Sequence, residues 1–442
     1  MAASVRDGPA SARVRLSQSG WNAALNLVFF LLAAAAFAVA AVAEATGSPG
    51  AMEALSKATL AAAEGAVPLA LGLVGVMALF LGLMKVAEAG GLLAATARLL
   101  APLLHRLFPE VPAGHPAMGA MVMNVAANVL GLGNAATPFG IRAMEHLETL
   151  NPHHGTASNA QVLFLAINTA GVTILPTSVI ALRASAGAAD PAAVVAPTLA
   201  ATLVSAVVAV IAARGLQHLF PVPRDARPEA RPPEPPKAPD AVAPSPAWAA
   251  MAALAALLAF IPLMAAYGRA AGPWIVPGLV VGLLGFGVAR RVRVYEVFVE
   301  GAKEGFAVAV RIIPYLVAIL VAVGMLRASG ALDLALGPLG ALTAPLGVPA
   351  EALTMAVMRT LSGSGSFGLL ASYMQDPTIG PDGYPGVLLG TVYASSETTF
   401  YVLAVYFGAV GIRRVRHALA AGLIADAAGL VAAVTACGLF VA

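Results

Sequence analysis

Apolar runs of about 20 residues recur along the whole chain, and that recurrence leaves few folds open. A helix must be about that long to cross ~30 Å of hydrocarbon, where every backbone polar group needs a partner within the protein. Of the 442 residues 60% are hydrophobic and 11% charged, against roughly 25% charged in a soluble domain. The pattern predicts an all-α polytopic membrane protein with no large soluble domain.

Full spans are expected at about 22–44, 65–86, 157–183, 192–213, 247–268, 273–289, 304–327, 386–410 and 415–440. A cleavable signal peptide fits poorly, because the run from Trp21 to Val42 exceeds a signal's apolar region. Two further segments, 115–150 and 350–376, are apolar but broken midway, by "NVLGLGNAATP" and "RTLSGSGSFG". At about 1.5 Å per residue, Pro116 to Leu130 reaches only partway across a bilayer. Each broken segment is therefore expected to be a re-entrant hairpin, giving about nine transmembrane helices plus two hairpins.

Lys and Arg near span ends mark the cytoplasmic side. With the N-terminus inside, Arg290, Arg291, Arg293, Arg413, Arg414 and Arg416 fall inside, and Lys57, Arg183, Arg269 and Arg327 outside. The expected location is the bacterial cytoplasmic (inner) membrane. Proline crowds residues 221–246, "PVPRDARPEARPPEPPKAPDAVAPSP", a composition that makes a stiff, extended linker. The chain thus divides into a cytoplasmic tail (1–20), a membrane half (21–220), the cytoplasmic linker and a second membrane half (247–442).

The halves resemble each other. "MKVAEAGGL" near Lys85 matches "MLRASGAL" near Arg327, and "FPEVPAGHPAM" matches "LGVPAEALTM". Gly131-Leu-Gly133-Asn134 matches Gly363-Ser-Gly365-Ser366, and "NTAGVTILPT" occupies the place of "SSETTFYVLA". Since one hairpin would open from the cytoplasm and the other from outside, the halves are expected to be inverted-topology repeats. That architecture places a substrate site at the midplane, between broken helices.

Within the second half lies "YEVFVEGAKEGFAVAVRIIPYLVAILVAVGMLRASGALD", followed later by "SSETTFYVLAVYFGAVGIRR"; both resemble spore maturation protein B. The first half carries "RLFPEVPAGHPAMGAMVMNVAANVLGLGNAATPFGIRAMEHLETLNP", which resembles spore maturation protein A. The resemblance implies a fusion of the two types. It also implies membership of the nucleoside-recognition (gate domain) group, which supplies membrane parts of concentrative nucleoside transporters and ferrous-iron transporters. One departure stands out: the B-type motif has aspartate in "STDTT", and this chain has Glu397 in "SSETT". A shared fold does not carry a shared ligand with it.

Glu397 is the leading candidate, since a charge within an apolar span costs ~2.5–3.5 kcal/mol on insertion scales and is functional by default. Ser395, Ser396, Thr398 and Thr399 flank it, and Arg359 is its expected partner. The plainer reading is a polar contact between helices. Asn124 and Asn128 share a helix face; with Asn134, Asn168 and Thr169 they suit either ligand hydrogen bonds or packing. The turn residues Ser362, Ser364 and Ser366, with Gly131, Gly133, Gly363 and Gly365, would expose backbone dipoles where the hairpin helices meet, or simply make tight turns. Arg311 and Asp426 are expected to pair structurally across two spans. His153 and His154 diverge as neighbours, Cys437 is the single cysteine, and no metal centre or cofactor is expected. The segment from Leu92 to Phe108 reads as an amphipathic helix at the inner surface.

No GxxxxGK[ST] phosphate loop occurs, so the favoured reading is a secondary transporter or channel for a small polar solute, driven by an H+ or Na+ gradient. Its partners would be that solute, the lipid bilayer and a further copy of the chain in a homo-oligomer, with no nucleic acid. A second reading is a membrane scaffold whose polar core only holds helices together. An intramembrane enzyme ranks last, because Ser396 and Glu397 would diverge by about 100° on a helix.

Overall fold

Alanine, leucine and valine dominate the long apolar runs, and every regular element among the described residues is helical. The computed structural model describes residues 29–112, 114–221, 245–343, 345 and 347–441. The expected tail (1–20) and most of the expected linker (221–246) lie outside them.

The first half begins with α1 (Phe29–Ala45), α2 (Ala51–Ala89) and α3 (Leu92–Leu107). A helical hairpin follows, α4 (Pro116–Val129) and α5 (Gly133–Thr149), then α6 (Asn159–Ala170), α7 (Thr177–Ser185) and α8 (Val195–Leu216). The second half comprises α9 (Ala247–Ala289), α10 (Val294–Ala328), α11 (Ala331–Thr343), the close pair α12 (Ala350–Leu361) and α13 (Gly363–Gln375), α14 (Tyr384–Ala394), α15 (Thr399–Ala409) and α16 (Ala418–Phe440). From α2 and from α10 onward the order is the same: long helix, short helix, helix pair, two short helices, long helix.

Two expected spans are not continuous. The 157–183 segment breaks between α6 and α7, and the 386–410 segment between α14 and α15. At the first break, Gly171 closes α6 with φ of 50° and Pro176 precedes α7, so the chain can neither continue nor restart the helix there. At the second, Ser395 turns its hydroxyl onto the Val392 carbonyl, the local competition by which serine ends helices. Glu397 therefore sits on unwound backbone rather than inside a helix.

The expected spans 247–268 and 273–289 fall in one element, α9. A straight helix of that length would reach about 64 Å. Yet the Ser245 amide donates to the Arg98 carbonyl at one end, and Phe286 packs against Gly90, at the start of α3, at the other. The chain therefore doubles back within α9.

The two long helices α2 and α10 run antiparallel at close range. A Cβ on Gly301 would lie 2.6 Å from the Leu81 carbonyl oxygen, one on Gly305 2.7 Å from the Ala78 Cα, and one on Gly324 3.1 Å from the Ala62 Cβ. Small residues let the backbones meet where lipid supplies no hydrophobic drive to association.

Contacts between the halves occur in exchanged pairs. The loop after α5 meets the loop after α15: the Arg413 and Arg414 amides donate to the Gly155 carbonyl, and Arg416 Nη1 donates to Asn159 Oδ1 at 2.8 Å and the Ala157 carbonyl at 3.0 Å. At the corresponding place, the loop after α7 meets the loop after α13. There the buried Arg183 donates to the Pro381 carbonyl and, at 2.9 Å, to that of Asp190, while Asp382 accepts the Ala189 amide. The two larger apolar cores repeat the exchange. One joins α4, α5 and α6 to α15 through Met121, Phe164 and Phe407, and the other joins α13 and α14 to α7 through Leu370, Leu388 and Ile180.

The α2–α10 contact sets an expected outcome. Gly305→Val, which drives methyls into the α2 backbone, destabilises the purified protein by about 1–3 kcal/mol. Gly75→Ala, where nothing lies within 4 Å, leaves thermal unfolding unchanged or slightly raised.

Candidate functional site

Both breaks expose backbone groups that a helix would have paired, and the structure pairs them with each other and with the hairpin tips. The Glu397 amide donates to the Thr169 carbonyl at 2.8 Å, at the end of α6. A Cβ on Gly171 would lie 3.2 Å from Glu397 Cγ, so the breaks touch. In the first half the Ile174 amide donates to the Val129 carbonyl at 2.9 Å. Gly131, with φ of 76°, lets the hairpin turn approach until its Cβ position is 2.5 Å from the Leu175 carbonyl oxygen. In the second half a side chain takes over that task.

Arg359, near the end of α12, is buried and organises the second break. Its Nε donates to the Ser396 carbonyl at 2.7 Å, its Nη1 to Thr398 Oγ1 at 3.4 Å and its Nη2 to Glu397 Oε2 at 3.3 Å. The guanidinium carbon stands 4.5 Å from the Tyr393 ring centroid, a stacking that weakly hydrated arginine favours. Glu397 keeps 46% of its side chain exposed. It faces a cavity of about 190 Å³ lined by Asn128, Gly131, Thr173, Leu175, Pro176, Thr177, Ser178, Arg359, Tyr393, Ala394 and Glu397.

The expected residues divide between this cavity and its supports. Asn128 lines the cavity and donates to Asn168 Oδ1 at 3.0 Å, while Asn168 is held by the Phe164 carbonyl and accepts from Tyr406 at 3.3 Å. Asn124 is turned away, donating to the Ala136 carbonyl at 2.8 Å and to Tyr406 at 3.1 Å. Thr169 bonds the Leu165 carbonyl. The side chains of Gly133's neighbour Asn134 and of Arg311 lie outside the described residues.

The hydroxyls expected around Glu397 do not bond it. Those of Ser395 and Thr399 go to the Val392 carbonyl and Asp426, Ser396 contributes its carbonyl, and Thr398 meets Arg359. Ser362 caps the Gly365 amide and Ser366 bonds the Gly363 carbonyl, so the turn hydroxyls satisfy the turn itself; Ser364 is exposed. Gly363 serves close approach, its Cβ position being 3.0 Å from Thr398 Oγ1, and a Cβ on Gly365 would meet Ser362. Asp426 accepts from Thr399 at 2.6 Å and Thr360 at 3.4 Å; its expected partner Arg311 has its side chain outside the described residues.

Sequence reasoning passed over Tyr393, Thr173, Thr177 and Ser178. Tyr393 lies two residues before the "SSETT" string, and Thr177 follows Pro176 at a helix start; both signals were available. Among the described residues no group of three or more His, Cys, Asp or Glu side chains could hold a metal ion.

A family profile described as Gate, nucleoside recognition, matches residues 70–186, which covers the first hairpin and first break. Spore maturation protein A of Bacillus subtilis (strain 168) is 43% identical over 162 residues, 37% of this chain and 83% of that protein. The chain belongs to the spore maturation protein A/B family. Spore maturation protein B of the same organism is 42% identical over 160 residues, 36% of this chain and 89% of that protein. No solved structure matches. Among the described residues three stretches, α2, Pro191–Leu216 and α16, are long and apolar enough to cross a membrane, and the family member described here is a helical membrane protein.

The Arg359 contacts imply unequal losses. Arg359→Ala orphans the Ser396 carbonyl and strands Glu397, and lowers unfolding free energy by about 2–4 kcal/mol. Glu397→Gln leaves the guanidinium its other partners and costs about 1 kcal/mol or less, as for a half-exposed pair. Arg359→Lys fails to restore stability because the three donors of an ammonium sit on one nitrogen, which cannot reach three separated acceptors while presenting a planar face to the Tyr393 ring. Denaturant titration of the three variants in one detergent checks the order.

Proposed function

We propose that this chain is a secondary transporter or channel for a small polar solute, resident in the bacterial cytoplasmic membrane with its N-terminus inside. The observation that carries the reading is the meeting of two helix breaks beside a 190 Å³ cavity that holds an acid and a base. Unwound backbone at membrane depth is tolerated where it is buried in protein or lines a cavity, and transporter sites are built from such breaks.

The exchanged contacts between halves support a reading as inverted repeats, since a two-fold relation requires that if a touches b′ then a′ touches b. On that reading α4–α5 and α12–α13 are re-entrant hairpins entering from opposite sides. Orientation rests on the basic residues gathered at one end: Arg416 meets the Phe220 carbonyl and Arg214 the Leu107 carbonyl, and Arg290 ends the returning limb of α9 beside α3. The amphipathic α3 would lie along the inner surface.

Glu397 and Arg359 would bind the solute through the exposed carboxylate oxygen, with Asn128, Thr173, Thr177 and Ser178 supplying hydrogen bonds and the Tyr393 ring a flat wall. An H+ or Na+ gradient would drive transport, without catalysis, cofactor or nucleic acid. The relatives' role in spore maturation places a function in the spore envelope within reach, with a second copy of the chain as partner.

Purified protein would be melted against nucleosides, carboxylates, amino acids and metal ions, with wild type and Glu397→Gln side by side. A ligand at 100-fold its Kd adds about 2.7 kcal/mol to the folded state, so the right class raises the melting temperature of wild type, and Glu397→Gln abolishes the shift. The scaffold reading gains if no class shifts wild type and Glu397→Gln itself melts far lower.

A further inference from the structure

Asp426 lies on α16, at the same depth as the breaks but outside the cavity lining. Its Oδ1 is buried and has no hydrogen-bond partner. Its Oδ2 accepts from Thr399 at 2.6 Å and stands 3.4 Å from the Thr360 hydroxyl. Thr360 has one hydroxyl proton, and the Ala356 carbonyl at 3.0 Å is the nearer acceptor for it. The Thr360 contact is therefore the longer, weaker limb of a shared hydrogen bond, and the carboxylate has little beyond the Thr399 hydroxyl to hold its charge.

The surroundings offer little else to hold a charge. The elements packed on α16 here bring Ser205 from α8, whose hydroxyl is taken by the Ala425 carbonyl at 2.9 Å, and Thr169 from α6, near Gly422. The Ser395 carbonyl approaches from the end of α14, Thr399 from α15, and Thr360 with Arg359 from α12. Among the described side chains α9 carries no titratable group. Arg359 is the neighbouring cation, and it makes its closest contacts with Glu397 and Ser396; no Lys, Arg or His nitrogen lies within 4.0 Å of Asp426 among the described residues. A buried carboxylate with one bare oxygen and no bonded cation is costly unless it is neutralised.

We propose that Asp426 is a proton-binding site distinct from the solute cavity, whose protonation loosens the ties that hold α12 and α15 to α16. Its role in coupling rests on the transport reading above, whereas its protonation does not. A proton from water adds to an Oδ1 lone pair, the carboxylate becomes a neutral acid, and the reverse step returns the proton to water. Hydrogen bonds to a carboxylate are roughly twice as strong as neutral ones, so the Thr399 and Thr360 contacts weaken together. Arg359 and Thr360 are adjacent, as are Thr398 and Thr399. Loosening one member of each pair is therefore transmitted to the Arg359–Glu397 contact.

The full chain, reconstituted in liposomes, would be followed by infrared difference spectroscopy through a pH titration. Wild type is expected to show a carboxylic-acid C=O band that titrates. Asp426→Asn loses the band, Asp426→Glu keeps it at a shifted frequency, and Glu397→Gln leaves it in place. A titrating band that survives Asp426→Asn, or that is absent from wild type, overturns the proposal. So does a band in wild type removed by Na+ at fixed pH but insensitive to pH, which would make the site a sodium site. If Asp426→Asn fails to fold, the frequency shift in Asp426→Glu carries the assignment. A pH-sensitive dye inside the same liposomes tests coupling: a titrating Asp426 band without proton flux overturns the coupling role and leaves the proton site standing.

Discussion

Backbone at a helix break must find hydrogen-bond partners inside the protein, and the rest of this structure is arranged around meeting that demand. Two breaks free amides and carbonyls at membrane depth, where each unpaired group costs several kcal/mol. The Glu397 amide goes to Thr169, the Ile174 amide to Val129, and the Ser396 carbonyl to Arg359. Each solution crosses between elements distant in sequence. The breaks therefore act as joints that fasten hairpins and half-helices together, and through the Glu397 amide they add one tie between the halves to those made by the loops and by α2 against α10.

The two halves solve the same problem with different chemistry. In the first, the hairpin's leading helix ends in Asn128, whose amide meets Asn168, and the glycine turn lets backbone reach backbone directly. In the second, the leading helix ends with Arg359, which spans the gap with a guanidinium and brings a carboxylate and an aromatic face with it. Neutral amides on one side and an ion pair on the other make the site chemically lopsided while the framework stays paired.

Much of this was readable from residue types. Glycine and polar residues inside apolar runs located both hairpins, and a lone acid within a span named Glu397 and drew attention to Arg359. The first break was hidden because "GVTILP" is itself apolar, so hydropathy ran through it, although Gly171 and Pro176 were the signals to weigh. The second was hidden because "SSETT" lies inside a run apolar enough to be read as one span, and nothing in the string shows that Ser395 turns onto the Val392 carbonyl and Thr399 onto Asp426. The partners of Asp426 that the structure describes, Thr360 on α12 and Thr399 on α15, were not legible, because no spacing along one sequence reveals which helices a fold will bring to its side.

Charge balance links the ion pair to its neighbour. Arg359 brings one positive charge to a region holding two acids, Glu397 and Asp426, so the region carries a net negative charge when both are ionised. On the proposal above, a proton on Asp426 removes that excess and leaves Arg359 and Glu397 to balance each other. Because Thr360 adjoins Arg359 and Thr399 adjoins Thr398, the same proton would loosen the Arg359–Glu397 contact and free the exposed Glu397 oxygen, and its release would tighten the pair again. On the transport reading, solute affinity and proton occupancy would then be two sides of one equilibrium, since coupling between two binding events is reciprocal.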